Sequence, residues 1–494
     1  MQILKTIFRD YDIRGIAGKE FSPKALEEYE KWYGKFPGIT ITPKAAEAIG
    51  KAYGTIIRRR GGKKVIIGHE IRPYGQELKM HFIQGVLSTG CDVDDAGESL
   101  TPIVYFSVAF YGYDGGVNVT GSHNIYFYNG FKMMAKDVWP IYDQEIRDMH
   151  GMIEAENFVT EEKGIYSQKD VWGDYKKYLL DHCPLNRKLK VVIDCGNGTP
   201  GKFAPEIFSQ MGCEVIGLYT EPDANFPNHL PDPEDPWMMR DLQQKVTETG
   251  ADLGIAFDAD GDRFGLVNEK GDFVMADHSL LVLARQALQN NPGKKILYDV
   301  KCSRLLDELV PQYGGVPYMH RTGHAPIKDT LRKDPEIILA GEVSGHFYLC
   351  EDYFKIDDGM YTAGKILSMI SSGDRRVSEI FSDIPKTVMT PELKLPCADE
   401  TKHKIVSYIA EHFAGEYKTI TIDGTRVIFS DTSWGLVRAS NTGPYLTIRV
   451  EANTQEEVIK IKNILADQLE KFPEIEDKLD RTCVTSHTGR LGWL

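Results

Sequence analysis

The 494-residue chain contains no run of about 18 consecutive apolar residues, so it offers no candidate for a bilayer-spanning helix. It has no paired cysteines either. Cys91, Cys183, Cys195, Cys213, Cys302, Cys350, Cys397 and Cys483 are scattered, with no CxxC motif and no zinc-like spacing. That argues against a disulfide framework or zinc knuckle and for reduced, mostly buried thiols. Positive charge is in deficit: 58 Lys and Arg against 72 Asp and Glu leave −14, the wrong field for a general nucleic-acid binder. A small anionic substrate stays open, because it needs only a local cluster of Arg and Lys. Lys5, Arg9, Asp10, Asp12 and Arg14 come before any apolar segment of signal-peptide type. These absences lead to the expectation of a cytoplasmic protein with neither membrane nor nucleic acid among its partners. They say nothing of its oligomeric state.

What is present is the composition of a globular protein, 42% apolar and 26% charged, long enough for roughly three or four domains. A faint internal repeat runs through it. Lys64-Val-Ile-Ile-Gly68, Lys190-Val-Val-Ile-Asp194 and Lys295-Ile-Leu-Tyr-Asp299 each open with a basic residue and continue as a short apolar run, the pattern of a strand covered on both faces. Helix-compatible sequence follows each one, at 75–87, 202–211 and 303–309. A second apolar strand then comes at 116–119, 253–257 and 337–340. Each of these runs straight into a polar loop: Thr120-Gly-Ser-His-Asn124, Asp258-Ala-Asp-Gly-Asp-Arg263 and Gly341-Glu-Val-Ser-Gly-His346. A triplicated α/β module explains this better than coincidence. Ligands gather at the carboxyl ends of strands in such sheets, so three such ends meeting in one cleft would make an active site. Beyond about residue 390 the pattern changes to strands at 427–430, 433–437 and 445–451 and a helix over 455–469 capped by Thr454, a smaller α+β unit.

The loops carry the chemistry. Asp258, Asp260 and Asp262 repel one another unless a cation holds them, and oxygen-only ligands suit a hard ion, Mg²⁺ or Ca²⁺. An EF-hand does not fit, since Arg263 stands where that loop needs Gly and a strand precedes it. A haloacid-dehalogenase-type phosphatase, with the first Asp as nucleophile, is the nearer rival. Ser122 is either a nucleophile at a strand end or an ordinary turn residue; Asn124 rules out the GxSxG elbow. Lys132 either returns a positive charge to the serine or lies on the surface. Glu342 and Ser344 either bond adjacent sugar hydroxyls or belong to a polar loop that faces water. Arg438, Ser440, Asn441 and Thr442, with backbone N–H groups beside Gly443, offer what a phosphate dianion requires.

Taken in order, these motifs resemble the α-D-phosphohexomutase superfamily, specifically its phosphomannomutase/phosphoglucomutase branch. The resemblance runs from Tyr11-Asp-Ile-Arg-Gly15 through the three loops to Arg438-Ala-Ser-Asn-Thr442, with Lys301-Cys-Ser-Arg304 and Arg321-Thr-Gly-His324 between. It implies an α/β fold of four domains, three similar α/β modules with mixed sheets followed by a smaller α+β domain. We place the boundaries at 1–165 (phosphoserine loop), 166–275 (metal loop), 276–390 (sugar loop) and 391–494 (phosphate loop).

The resemblance further implies a resting phosphoserine at Ser122 and Mg²⁺ held by Asp258, Asp260, Asp262 and a phosphoserine oxygen. Arg14, Lys132 and Arg263 would surround the transferring group, and Glu342 and Ser344 would grip the sugar. Arg438, Ser440, Asn441 and Thr442 would hold the unreactive phosphate, with Lys301 and Tyr11 also lining the substrate site. His324 and Lys132 lead as proton-transfer groups, with His123 and His346 in support. The expected reaction interconverts hexose 1-phosphate and 6-phosphate, of mannose and also glucose, through a hexose 1,6-bisphosphate. Gly121 and Ile125 stand where the family usually has Ala and Pro, a looser serine loop; Glu70 stands where Asp is commoner and Val343 where Met is. Two other readings remain: a Mg²⁺-dependent sugar phosphatase with an Asp nucleophile, and a catalytically silent sugar-phosphate sensor.

Overall fold

The computed structural model describes residues 3–33, 35–441, 443–475 and 477–484. Strands whose both faces are apolar must be covered on both sides, and this requirement organises the first three sheets. Val65, Ile66 and Ile67 are wholly buried, as are Val191 to Ile193 and Ile296 to Tyr298. Each of these strands sits in the interior of its sheet. Lys64–His69 pairs in parallel with Asp92–Glu98 on one side and Gly115–Val119 on the other. Gly115–Val119 in turn pairs antiparallel with Tyr128–Ala135.

The second sheet repeats the plan. Lys190–Asp194 lies parallel between Glu214–Leu218 and Leu253–Phe257, and Leu253–Phe257 is antiparallel to Phe264–Asn268. In the third, Lys295–Asp299 lies parallel between Val316–His320 and Ile337–Gly341, with Phe347–Leu349 antiparallel at the edge. The sheets are mixed, and the three modules are alike. The intervening strands Asp92–Glu98, Glu214–Leu218 and Val316–His320 and the antiparallel strands Tyr128–Ala135, Phe264–Asn268 and Phe347–Leu349 are among those absent from the sequence reading.

The last sheet is antiparallel throughout: Tyr445–Ala452 pairs with Val388–Met389, Leu393–Pro396 and Ser433–Ala439, and Thr425–Ser430 and Lys418–Ile420 follow. The helices Asp399–Phe413 and Gln455–Leu469 close its core through Ile405, Ile409, Val458, Ile461 and Leu465. Thr454 caps the second of these, its side chain accepting from the Glu457 N–H. All eight cysteines are thiols and six are buried, as their spacing predicts.

One apolar cluster runs through the first three modules. It joins Ile66 and Phe106 of the first, Val191 and Phe257 of the second, and Ile296 and Met360 of the third. Phe106 meets Tyr175 edge-on at 5.3 Å, and the Tyr175 hydroxyl donates to Asp358 at 2.9 Å. The strands that end in the three loops are thus parts of one packed body, which holds their carboxyl ends in register.

On its other face the first module packs helix Pro43–Arg59 against helix Gly75–Leu87 backbone to backbone. A Cβ at Gly85 would stand 2.1 Å from the Glu47 carbonyl oxygen. Gly85→Ala must part the helices and should destabilise the protein by about 1–3 kcal/mol, read as a lower urea midpoint. Gly151 lies in helix Gln144–Glu154 with nothing within 4 Å of an added Cβ. Gly151→Ala should shift the midpoint the other way, by about 0.5–1 kcal/mol.

Candidate active site

Three loops meet at the junction of the first three modules. Ser122 follows strand Gly115–Val119, and its Oγ donates to Asp258 Oδ2 at 3.2 Å, across 136 residues of chain. The serine is buried and has φ +51°, a left-handed conformation that a side chain adopts only when its surroundings enforce it. Asp258, Asp260 and Asp262 have no exposed surface. Lys132, from the strand antiparallel to the serine strand, donates to Asp260 at 2.9 Å and to Asp262 at 2.5 Å. Thr101 and Thr120 donate to the same Asp260 oxygen at 2.5 and 2.9 Å.

This crowding has electrostatic consequences. Burial, then the neighbouring Asp260 and Asp262, push the Asp258 carboxyl well above the ordinary carboxylate range. Burial acts the same way on Asp260, but the Lys132 ammonium and the Thr101 hydroxyl overcome it and hold that group low. Burial would lower the Lys132 pKa, yet the carboxylates of Asp260, Asp262 and Asp258 raise it well above the usual lysine value. Lys132 and the Arg263 guanidinium, 3.9 Å from Asp258 Oδ2, are two cations against three carboxyl groups. One oxygen each of Asp260 and Asp262 is buried with no protein partner, and the three side chains offer oxygens all within 4.8 Å of one another. The donor set fits a hard divalent cation.

Around this centre lie the remaining groups. Arg263 donates from its backbone to Asp258 at 3.1 Å and from Nη1 to Asp232 at 3.1 Å. Asp232 also stands 2.6 Å from His123 Nδ1, and burial with Arg263 drives His123 down to about 3. Arg263 Nε lies 3.3 Å from His346 Nε2, and His346 Nδ1 lies 3.1 Å from Asp357, which accepts from Lys328 at 2.8 Å. His346, Asp357 and Asp262 also have the spacing of a metal cluster. Arg263 donating to Nε2, however, favours a proton on Nδ1, which makes that nitrogen a donor beside Asp357 rather than a metal ligand. His324 begins helix His324–Lys333, and neither ring nitrogen has a protein partner; burial and Lys328 hold it neutral. Arg14 pairs with Asp12 at 2.6 Å.

Glu342 turns one oxygen to the Gly323 N–H at 2.7 Å and the other to Tyr348 at 3.4 Å; Ser344 is buried beside it. Lys301 reaches Glu392 of the last sheet's region at 2.6 Å and Glu234 at 3.6 Å. Arg438 is held through Nε by Asp423 at 2.8 Å, and the same Asp423 oxygen accepts from the Thr322 N–H at 2.9 Å. Asn441 donates to the Tyr11 hydroxyl at 2.5 Å, which donates to the Thr322 carbonyl at 2.7 Å. Ser440 is buried and accepts from the Gly443 N–H at 3.3 Å. Thr442 lies outside the described residues.

The sequence reading missed Asp232, Asp357, Asp423, Glu392 and Thr101. Asp232 lies in the acidic, proline-rich run Pro231-Asp-Pro-Glu-Asp-Pro236, and Asp357-Asp358 stands just before helix Gly359–Ser371. Those were the only local signals.

Four family models match the chain in order. Phosphoglucomutase/phosphomannomutase α/β/α domains I, II and III match residues 5–160, 175–271 and 275–388, and the C-terminal domain matches 392–468. The chain belongs to the phosphoglucomutase/phosphomannomutase family. A phosphomannomutase/phosphoglucomutase of Pseudomonas syringae pv. tomato is 40% identical over 474 residues, 95% of this chain and 97% of that protein. A phosphoglucomutase of Neisseria gonorrhoeae is 36% identical over 477 residues, 96% of this chain and 98% of that one. The crystal structure of a family protein from Burkholderia thailandensis superposes with a TM-score of 0.84 at 36% identity, covering 95% of this chain and 98% of that one.

A divalent cation bound at the triad should stabilise the folded chain by about 2.7 kcal/mol at a hundredfold excess over its Kd. Titration should therefore raise the melting temperature of the wild type. In Asp260→Asn the curve should move to much higher cation concentration. Equal shifts in both proteins would place the cation elsewhere.

Proposed function

We propose that the chain is a phosphohexomutase that interconverts hexose 1-phosphates and 6-phosphates, mannose first and glucose also, with Ser122 as phosphate carrier. The observation that carries this reading is Ser122 Oγ 3.2 Å from Asp258, in a strained backbone conformation at the junction of three strand ends. Four units share the work: the serine loop, the acidic loop, the sugar loop and the phosphate loop, divided near residues 165, 275 and 390.

Asp258, Asp260, Asp262 and a phosphoseryl oxygen on Ser122 would hold Mg²⁺. When bound, that ion supplies positive charge for the transferring group. The side chains do the rest. Arg263, Lys132 and Arg14 place cationic donors around the serine. A substrate hydroxyl attacks phosphorus and gives its proton to a base, the bond from phosphorus to Ser122 Oγ breaks, and that oxygen takes up one proton as it leaves as the serine hydroxyl. His324 suits the role of base, being neutral, with both ring nitrogens buried and unpartnered. Lys132, ion-paired to two carboxylates, suits the role of a fixed cation. His346, held between Arg263 and Asp357, and His123, held by Asp232, lie at the edges of the same centre.

The product of this half is a hexose 1,6-bisphosphate. It returns its other phosphate to Ser122 after turning in the cleft. Glu342 and Ser344 would bond the sugar hydroxyls, and Lys301 and Tyr11 would line the way to the phosphate loop. With Nε of Arg438 engaged by Asp423, the paired terminal nitrogens remain for a phosphate, joined by Ser440, Asn441 and Thr442.

Ser122→Ala should abolish mutase turnover while leaving sugar-phosphate binding measurable by calorimetry; an enzyme with an Asp nucleophile would keep its activity. Arg438→Lys should raise KM for the 1-phosphate and the 6-phosphate by similar factors, roughly ten- to a hundredfold. Impairment of one substrate alone would sink the shared phosphate site.

A further inference from the structure

Behind the serine loop the chain buries an arginine and a glutamate for which the phosphate-carrier reading has assigned no task. The side chains of Glu70 and Arg72 are both 0% exposed, with Arg72 Nε 2.5 Å from Glu70 Oε1. A buried ion pair is costly unless its remaining donors and acceptors are used. Here most of them engage the serine loop, while Glu70 Oε2 is buried without a hydrogen-bond partner. Arg72 Nη2 donates to the carbonyls of Ser122, at 2.5 Å, and Asn124. Its Nη1 donates to the carbonyls of Ile125 at 2.5 Å and Tyr128 at 3.3 Å. Glu70 Oε1 accepts from the Gly121 N–H at 2.9 Å. The pair grips the chain by its donor just before the serine and by its acceptors from the serine onward.

This grip accounts for Gly121, the first of the two departures in the loop. A Cβ at Gly121 would lie 2.6 Å from Arg72 Nε and 2.5 Å from the Tyr128 carbonyl, so a glycine suits so close an arginine. Ile125 lacks the rigidity of proline, and its carbonyl is one of those Arg72 holds. The pair is also seated against the second module: Arg72 lies over the Phe226 ring at 5.0 Å, and the Ile71 N–H donates to Thr199 at 3.2 Å. The fixing point of the serine loop is thereby tied to the module that carries Asp258.

We propose that Glu70 and Arg72 are positioning residues for phosphoryl transfer, holding Ser122 in its left-handed conformation against the acidic triad through both half-reactions. The inference rests on the reading of Ser122 as phosphate carrier and deepens it. Neither side chain is placed to touch the sugar or its fixed phosphate, which belong to Glu342, Ser344 and Arg438. Their loss should therefore act on kcat and spare KM.

The test is Arg72→Lys in the full-length protein with Mg²⁺, assayed with mannose 1-phosphate and glucose 1-phosphate. Lysine keeps the charge beside Glu70 but cannot reach all the loop carbonyls. A displacement of the nucleophile by about 1 Å costs roughly 10²-fold, so kcat should fall by about that factor with KM nearly unchanged. Amide exchange across 119–129 should quicken. A kcat near the wild-type value, or kcat and KM shifting together without faster loop exchange, overturns the proposal. If Arg72→Lys does not yield folded protein, Glu70→Gln decides. It keeps an acceptor for the Gly121 N–H and removes only the charge, so kcat should drop about tenfold at constant KM; an unchanged kcat overturns the proposal. A wild-type chain that turns over no hexose phosphate would overturn the carrier reading itself. Wild-type turnover with an unaffected variant removes only the positioning role.

Discussion

Three carboxyl groups with no exposed surface, set against the Lys132 ammonium and the Arg263 guanidinium, are the constraint on which the centre of this molecule depends. Charges taken out of water are strongly unfavourable unless paired and hydrogen-bonded. Lys132 arrives from the serine module, and Thr101 and Thr120 add donors to Asp260 from the same module. The acidic loop is thus satisfied largely by side chains from outside its own domain. Ser122 makes the same crossing in the opposite sense when it donates to Asp258. Neither loop has its geometry without the other.

That mutual dependence works only if the modules cannot drift apart. The apolar cluster that joins Phe106, Val191 and Met360 supplies the rigidity, since close-packed interiors resist small displacements. The same division appears along each chain segment. Apolar strands are spent on the shared core, and the loops at their carboxyl ends are left to carry charge.

Where local periodicity decides structure, the sequence was legible. Helices Gly75–Leu87 and Gln455–Leu469 and strand Leu253–Phe257 have the bounds their patterns predict. The strand Asp92–Glu98 was not visible, because it carries Asp94 and Asp95 where an apolar run is expected. Tertiary partners satisfy them, Tyr113 for the first and Lys79 for the second, each at 2.5 Å. Val316–His320 was hidden by Pro317 and by its half-exposed edge position. The site divides in the same way. Ser122 and the acidic triad sit in motifs dense enough to notice. Asp232 takes its meaning from His123, 109 residues away, and no local feature of the sequence encodes that.

The fourth unit stands apart in how it is attached. Its own core is closed by Ile405, Val437 and Leu465, separate from the cluster that unites the others. Toward the cleft it reaches the first and third modules through polar bonds: Arg9 to Asp399, Asn441 to Tyr11, Asp423 to the Thr322 backbone and Glu392 to Lys301. Firmer contacts with the third module lie behind these: Arg426, stacked on Trp434 of its own unit at 3.7 Å, donates to the Val300 and Cys302 carbonyls, and Val300 packs with Trp434 and Leu436. Polar bonds at a cleft can be exchanged for bonds to a ligand at little net cost, because each partner keeps a hydrogen bond throughout. Apolar contacts have no such substitute. On the proposed reading, an Arg438 loop joined by exchangeable bonds, facing a serine and acidic centre joined by packing, would let one end of a sugar phosphate be gripped and released while the reacting end meets a fixed geometry.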